Sequence, residues 1–219
     1  MVIKVLTAPG PVCFPLIASG NNNFEINFGK EGNADIVMDS TISLIKRGLP
    51  IDMVLLSGLS IVTPDFARKT VILRKGGASD LLSRVIIKKD GLPTELIYSD
   101  SMDEIRTLMK EKKADSAVVL SFAGLKGITL EERAGKSGIY VPGSCGATMG
   151  SDLYSEFRAA YNEGLKKFKE SPAETAKIVQ EKLPNKFPLE FITGTMLKTT
   201  TILEKPENYS QLKEAIINA

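Results

Sequence analysis

The chain contains no histidine and no tryptophan, and only two cysteines and 6% aromatic residues. Without imidazole there is no Ser-His or Cys-His nucleophile pair, no histidine metal ligand and no histidine switch near neutral pH. The common hydrolase mechanisms are excluded with it. Cys13 and Cys145 are far apart and lack a CxxC partner, so ligand count excludes a thiolate zinc site. They read as free, buried thiols behaving as small hydrophobes, with a single disulfide as the alternative. A basic excess is also missing: 28 Lys and Arg stand against 26 Asp and Glu, a formal charge of +2. That balance gives no stripe for a phosphate backbone, so no nucleic acid partner is expected. The uncharged run from Val5 to Phe24 contains Pro9, Gly10, Pro11 and Pro15, which break a spanning helix. No small-residue cleavage site follows a basic start, and Gly10 to Cys13 is not a lipoprotein signal. The chain is therefore expected to begin inside its folded domain, cytoplasmic as it stands and extracytoplasmic if a leader has been removed.

What is present is an ordinary globular composition, with 219 residues, 43% hydrophobic and 25% charged. A chain of this size buries about 70–75% of its unfolded surface, enough for two lobes of roughly a hundred residues each. Short β-branched runs at Val2–Thr7, 35–38, 52–56, 70–73, 95–98, 115–120 and 138–141 alternate with helical patterns. This alternation predicts a layered α/β protein, with helices on both faces of mixed, mainly parallel sheets. Ser101-Met-Asp-Glu104 and Ser171-Pro-Ala-Glu174 read as capping boxes. Leu153, Phe157, Tyr161, Leu165 and Phe168 mark one amphipathic helix, and Ala176, Val179 and Leu183 the next. Further helical stretches are expected around 188–197 and 206–218, so the C-terminal third reads as mostly helical.

An internal echo organises these pieces. Ala34-Asp35-Ile-Val-Met-Asp39-Ser40 is matched 80 residues later by Ala114-Asp115-Ser-Ala-Val-Val-Leu-Ser121, each after a charged turn and each ending at a hydroxyl. Open α/β sheets bind ligands at that end of their strands.

Several segments are candidates for contacting a ligand. Thr7-Ala-Pro9-Gly10-Pro11 is a strand-to-helix turn able to cradle a polar group, or merely a stiff turn. Arg74-Lys75-Gly76-Gly77-Ala78-Ser79 repeats the arrangement, with Ser79 expected as a helix N-cap. It has neither a P-loop's spacing nor a GxGxxG, which disfavours nucleotides. Asp39, Ser40 and Thr41 end a strand and open a helix, where Asp39 serves a ligand or caps the helix. Ser121 and Phe122 hold the equivalent place in the second unit. The small residues from Val141 to Thr148, including Ser144, read as a crossing between lobes. Glu131 and Glu132 read as a solvated pair, and no arginine stands at an evident pocket position.

Gly32-Asn-Ala-Asp35-Ile-Val-Met-Asp-Ser40 leading to Ile45-Lys-Arg-Gly48, then Asp65-Phe-Ala-Arg-Lys69-Thr-Val-Ile-Leu-Arg-Lys-Gly76-Gly-Ala-Ser79, then Ser101-Met-Asp-Glu-Ile with Ala114-Asp115, resemble periplasmic solute-binding proteins of ABC importers. The branch is the one that includes nitrate, aliphatic-sulfonate and thiamine-precursor binders, reaching an uncharacterised archaeal group related to solute-binding lipoproteins. The resemblance covers almost the whole chain. It implies a two-lobed, type II periplasmic-binding-protein-like fold that closes on a small molecule by hinge motion. Crossings are then expected near residues 57–63 and 143–150. Residues 1–60 would open lobe I, 61–146 would form lobe II and 147–219 would return to lobe I. The ligand contacts it implies are Pro9, Gly10, Pro11, Asp39, Ser40, Thr41, Gly77, Ala78, Ser79, Ser121, Phe122 and Ser144.

The function expected is non-catalytic binding of a small polar molecule, anions among the candidates, for ABC-type uptake or sensing. A monomer is expected, with an ABC permease as partner and neither cofactor nor metal. The alternative is a cytoplasmic enzyme on the same scaffold, in menaquinone- or pyrimidine-precursor-type metabolism. A regulator module would need a partner chain, because no helix-turn-helix is present.

Overall fold

The computed structural model describes residues 2–218. In chain order the elements are β1 (Ile3–Thr7), a 3-10 turn at Pro11–Cys13, α1 (Phe14–Ser19), β2 (Phe24–Phe28), β3 (Ile36–Ser40), α2 (Thr41–Lys46) and β4 (Met53–Ser57). The second sheet supplies β5 (Ser60–Thr63), β6 (Lys69–Leu73), α3 (Ala78–Asp90), β7 (Glu95–Ser99), α4 (Met102–Lys110), β8 (Ser116–Leu120), β9 (Ile128–Thr129) and α5 (Leu130–Lys136). The chain returns through β10 (Cys145–Met149), α6 (Tyr154–Glu170), α7 (Pro172–Lys182), α8 (Leu189–Lys198), β11 (Thr200–Glu204) and α9 (Ser210–Ile217).

Two mixed sheets result, with strand orders β11-β4-β10-β3-β1-β2 and β7-β6-β8-β5-β9. Each has a parallel core, β2-β1-β3 in one and β7-β6-β8 in the other. Beside each core lies one antiparallel strand delivered from the far side of a crossing, β10 in the first sheet and β5 in the second. The echo in the sequence is literal in space. The Asp35 carboxylate accepts the Lys4 amide at 2.8 Å, and the Asp115 carboxylate accepts the Lys69 amide at 3.0 Å. In each case the aspartate's own amide donates to that lysine's carbonyl. The same clamp thus sets the register of β3 on β1 and of β8 on β6.

Helices cover both faces of the first sheet. Phe14, Phe157, Tyr161 and Phe168 bury against its strands on one side, and Ile42, Leu44 and Ile45 of α2 on the other. Leu212 and Ile216 of α9 bury in one cluster with α2 and with Leu82, Val85 and Ile86 of α3, so that apolar layer spans both halves of the molecule.

Several expectations are corrected. Residues 138–141 are the turn after α5 and an irregular stretch, and the strand lies further on at Cys145–Met149. That run looked uncommitted because β10 is squeezed between β3 and β4: a Cβ on Gly146 would stand 2.9 Å from Ile51 Cγ2 and 3.1 Å from the Met53 carbonyl oxygen. Strands at Phe24–Phe28 and Thr200–Glu204 were not expected, and the latter interrupts the helical C-terminal third. Ser171 makes no side-chain cap, and Ser101 takes the Glu104 amide while the Glu104 carboxylate turns to the Ser99 hydroxyl. The reciprocal capping box is at Thr129 and Glu132.

Candidate functional site

The carboxyl ends of the parallel strands in both sheets face one cleft, which encloses a cavity of about 340 Å³. The first sheet contributes the turn after β1, where Pro9, Gly10, Pro11 and Val12 line the cavity, and the end of β3 with Asp39, Ser40 and Thr41. The second contributes Leu73 at the end of β6 and Arg74 after it, Gly77, Ala78 and Ser79 at the start of α3, and Leu120 at the end of β8. The crossings close one side with Leu59, Ser60, Gly143, Ser144 and Cys145.

The turn after β1 is held from below. The Tyr161 hydroxyl donates to the Val12 carbonyl at 3.1 Å, and the Cys13 thiol donates to the Gly10 carbonyl at 3.1 Å. Gly10 itself is extended, with φ −178°, a conformation open to any residue. A Cβ there would meet nothing within 4 Å. Its missing side chain therefore leaves room in the cleft rather than permitting a turn.

The hydroxyls are largely occupied by the frame. Ser40 is the N-cap of α2, accepting the Ser43 amide at 3.1 Å. Asp39 accepts the Ser43 hydroxyl at 2.6 Å and the Ser40 amide at 2.7 Å, and its carboxylate lies 3.5 Å from the Arg47 guanidinium. The Thr41 hydroxyl donates to the Gly143 carbonyl at 2.7 Å. Ser79 is not the N-cap of α3, a place held by Gly77; its hydroxyl lies 2.7 Å from that of Ser60 and ties α3 to the first crossing. Ser121 and Phe122 stand outside the cavity lining. Phe122 instead makes an edge contact with Phe191, centroids 5.2 Å apart.

Among the lining residues outside the expected contacts, Glu131, Arg74, Phe187 and Phe191 bring charge or aromatic rings to the wall. Glu131, read as solvated, occupies the cavity wall. One of its oxygens accepts the Ser144 hydroxyl and, at 3.1 Å, the Gly58 amide, so it joins both crossings. Its other oxygen is buried without a hydrogen-bond partner. The Thr129-x-x-Glu132 capping box sets Glu131 in the first turn of α5, but nothing in the sequence turns it toward the cleft. Arg74 also lines the cavity, exposed, with φ +67°, a left-handed conformation uncommon outside glycine. Phe187 and Phe191 stack with centroids 4.8 Å apart and an interplanar angle of 14°, forming an aromatic wall. Their i, i+4 spacing was visible in the sequence, but nothing there tied them to the cleft.

Cys13 and Cys145 are free and buried. Burial pushes the Cys13 thiol up to about 12 and the Cys145 thiol higher, the latter helped by the Asp39 and Glu131 carboxylates. Neither supplies a thiolate at neutral pH. Among the described residues no cluster of three or more Cys, Asp or Glu could hold a metal ion, and no helix is long and apolar enough to cross a membrane.

Two mixed α/β sheets with exchanged antiparallel strands around an interdomain cavity define a two-lobed fold of the periplasmic-binding-protein kind. The chain belongs to the family described as Protein of unknown function (DUF3834), whose model matches residues 1–201. No curated protein matches it. Among solved structures it is similar to a Thermoplasma volcanium protein provisionally named a nitrate transport protein, at 22% identity and TM-score 0.75, covering 99% of this chain and 91% of that one. It is also similar to an ABC transporter protein of Parabacteroides distasonis, at 14% identity and TM-score 0.60, with 99% and 90% covered. An Archaeoglobus fulgidus protein matches at 12% identity and TM-score 0.57, with 99% and 95% covered. At these identities the likeness is one of fold.

Proposed function

We propose that this protein is a non-catalytic receptor that closes two lobes on a small molecule and hands it to an ABC permease or reports its presence. The observation that carries the reading is the cavity of about 340 Å³ lined from both sheets and both crossings. In this reading lobe I comprises residues 1–60 and the return after the second crossing, lobe II comprises the segment between, and the protein works as a monomer. Of the residues expected to touch the ligand, Pro9, Gly10, Pro11, Asp39, Ser40, Thr41, Gly77, Ala78, Ser79 and Ser144 line this cavity. The relatives whose names mention transport lend support at the level of fold. So does the chemistry of the cleft: its hydroxyls hold backbone and its cysteines are buried acids too weak to act as nucleophiles, so no activated nucleophile and base face each other.

Native mass spectrometry of gently purified protein tests this. A stoichiometric small-molecule adduct, lost on denaturation, is expected, together with a narrower scattering profile on saturation. Ser79→Trp, which fills the cleft from α3, is expected to abolish the adduct. Conversion of that same compound at a rate exceeding one turnover would replace the receptor with an enzyme.

A further inference from the structure

We propose that the cleft selects its ligand by an apolar, ring-sized body, and that a small solute polar on every side is not what it holds. This deepens the receptor reading and rests on it.

Every hydroxyl and carboxylate on the cavity wall is already engaged within the protein or closed off. The Thr41 hydroxyl donates to the Gly143 carbonyl, and the Ser144 hydroxyl donates to Glu131 while accepting the Leu59 amide at 3.0 Å. The hydroxyls of Ser60 and Ser79 bond each other, and that of Ser40 accepts the Ser43 amide. One Asp39 oxygen accepts the Ser40 amide, and the other accepts the Ser43 hydroxyl beside Arg47. The Glu131 oxygen without a partner has almost no accessible surface, so it offers a ligand nothing. What stays open lies around the start of α3: Arg74, exposed, and the amides of Ala78 and Ser79, in the first turn where no helical carbonyl reaches them. These suffice for one polar group. A solute polar on every side leaves its hydrogen bonds to water behind on entering, and this wall has too few free partners to replace them.

The aromatic content of the chain gathers at this cleft instead. Of nine phenylalanines, Phe14, Phe122, Phe187 and Phe191 form one connected set. Phe187 and Phe191 line the cavity, half-buried, with stacked rings whose centroids are 4.8 Å apart. Buried Phe14 meets them edge-on at 6.2 and 6.3 Å, and Phe122, from the loop after β8, meets Phe191 edge-on at 5.2 Å. Gly194 leaves the room for that approach, since a Cβ there would stand 3.4 Å from the Phe122 ring. Rings held from two sides make an ordered surface, and Leu59, Leu73 and Leu120, none of them fully buried, add aliphatic wall. A ligand ring laid against it removes apolar area from water on both partners.

The test is calorimetric titration of the full chain with benzamide and acetamide, with benzoate and acetate, and with glycerol. Within each pair the polar head is the same and only the body differs, so charge drops out of the comparison. In every pair that binds, the ring member is expected to bind at least about tenfold more tightly than the methyl member, with a more negative heat-capacity change. Glycerol, polar along its whole length, is expected not to bind. Phe191→Ala, which removes one ring of the stacked pair, should narrow the gap between ring and methyl members about fivefold. A methyl probe or glycerol bound as tightly as the ring probes overturns the apolar selection while leaving the receptor standing. An undiminished gap in a folded Phe191→Ala protein does the same. Should that variant not fold, the order of the probes on the unaltered protein decides. Silence from all five probes overturns the selection as well, and the receptor falls with it only if native mass spectrometry also finds no adduct.

Discussion

At Cys13 the thiol donates to the Gly10 carbonyl from a fully buried position, and burial, the largest influence, pushes its pKa up to about 12. A group whose acid form is favoured this strongly stays protonated throughout the working range, and Cys145, buried beside two carboxylates, does so too. Neither thiol of the folded protein is expected to react with a thiol reagent at mildly alkaline pH, and both should react at the rate of unfolding; rapid labelling of the native chain contradicts this. Gly10 supplies a complementary case, since a side chain there meets only the open cleft. Gly10→Leu is expected to keep the melting temperature within a few degrees and to lose the bound adduct. At Tyr161 the hydroxyl is the prop under the turn after β1, so Tyr161→Phe should cost about 1 kcal/mol in urea unfolding. These residues show what was legible. Pro9, Gly10 and Asp39 could be singled out because their types announce a turn or a strand end. Glu131 could not, because a Glu-Glu pair in a charged stretch looks the same on a surface as in a cleft, and only the tertiary contact with Ser144 and Gly58 separates the two.

Among the elements, α1 and α6 show how closely a glycine lets two backbones pass. A Cβ on Gly164 would stand 1.7 Å from the Pro15 carbonyl oxygen, which neither helix can accommodate without separating. Gly164→Ala is expected to destabilise by about 3 kcal/mol or more, at the upper end for overpacking, read from the urea midpoint. The start of α5 carries a pH signature. The Thr129 amide, and after it the Thr129 hydroxyl, hold the Glu132 carboxyl below its ordinary value near 4.5. A depressed folded-state value makes the contribution complete above the ordinary value, and it is lost as pH falls through the folded one. The stability gap between the natural chain and Glu132→Ala should therefore be constant near neutrality and shrink in acid; a gap that widens there contradicts the capping box. Thr129→Ala should cost about 1 kcal/mol at neutral pH. Parallel-core strands such as β1, β3 and β8 were readable because burial on both faces makes them continuous apolar runs. β10 was misplaced because close packing between two neighbours replaced its apolar side chains with Gly146 and Ala147, which carry no strand signal of their own.

Across the whole molecule the repeat was the most legible feature, since one aspartate clamp appears in each half. The closing elements were the least. α9 was expected only as a helix, yet Leu212 is fully buried where α2 of one half meets α3 of the other. Leu212→Ala is expected to cost about 2–5 kcal/mol. Because that apolar layer belongs to both halves, unfolding in urea should remain a single transition followed identically by near-ultraviolet and far-ultraviolet signals. Two separated transitions would show instead that the halves are energetically independent.

The position of β10 bears on how the molecule is made. In the finished sheet β3 and β4 do not pair with each other; the strand between them, β10, is one that the chain supplies after the whole second sheet has been built. On the ribosome the first sheet therefore waits with a slot open between two apolar edges, while the later-made segment, whose strands are all continuous from β5 to β9, can complete itself first. The half begun first is finished last, and until Cys145–Met149 emerges its unpaired edges are open to any passing strand. The small residues that make β10 hard to recognise are also what let it slide into a gap already walled on both sides.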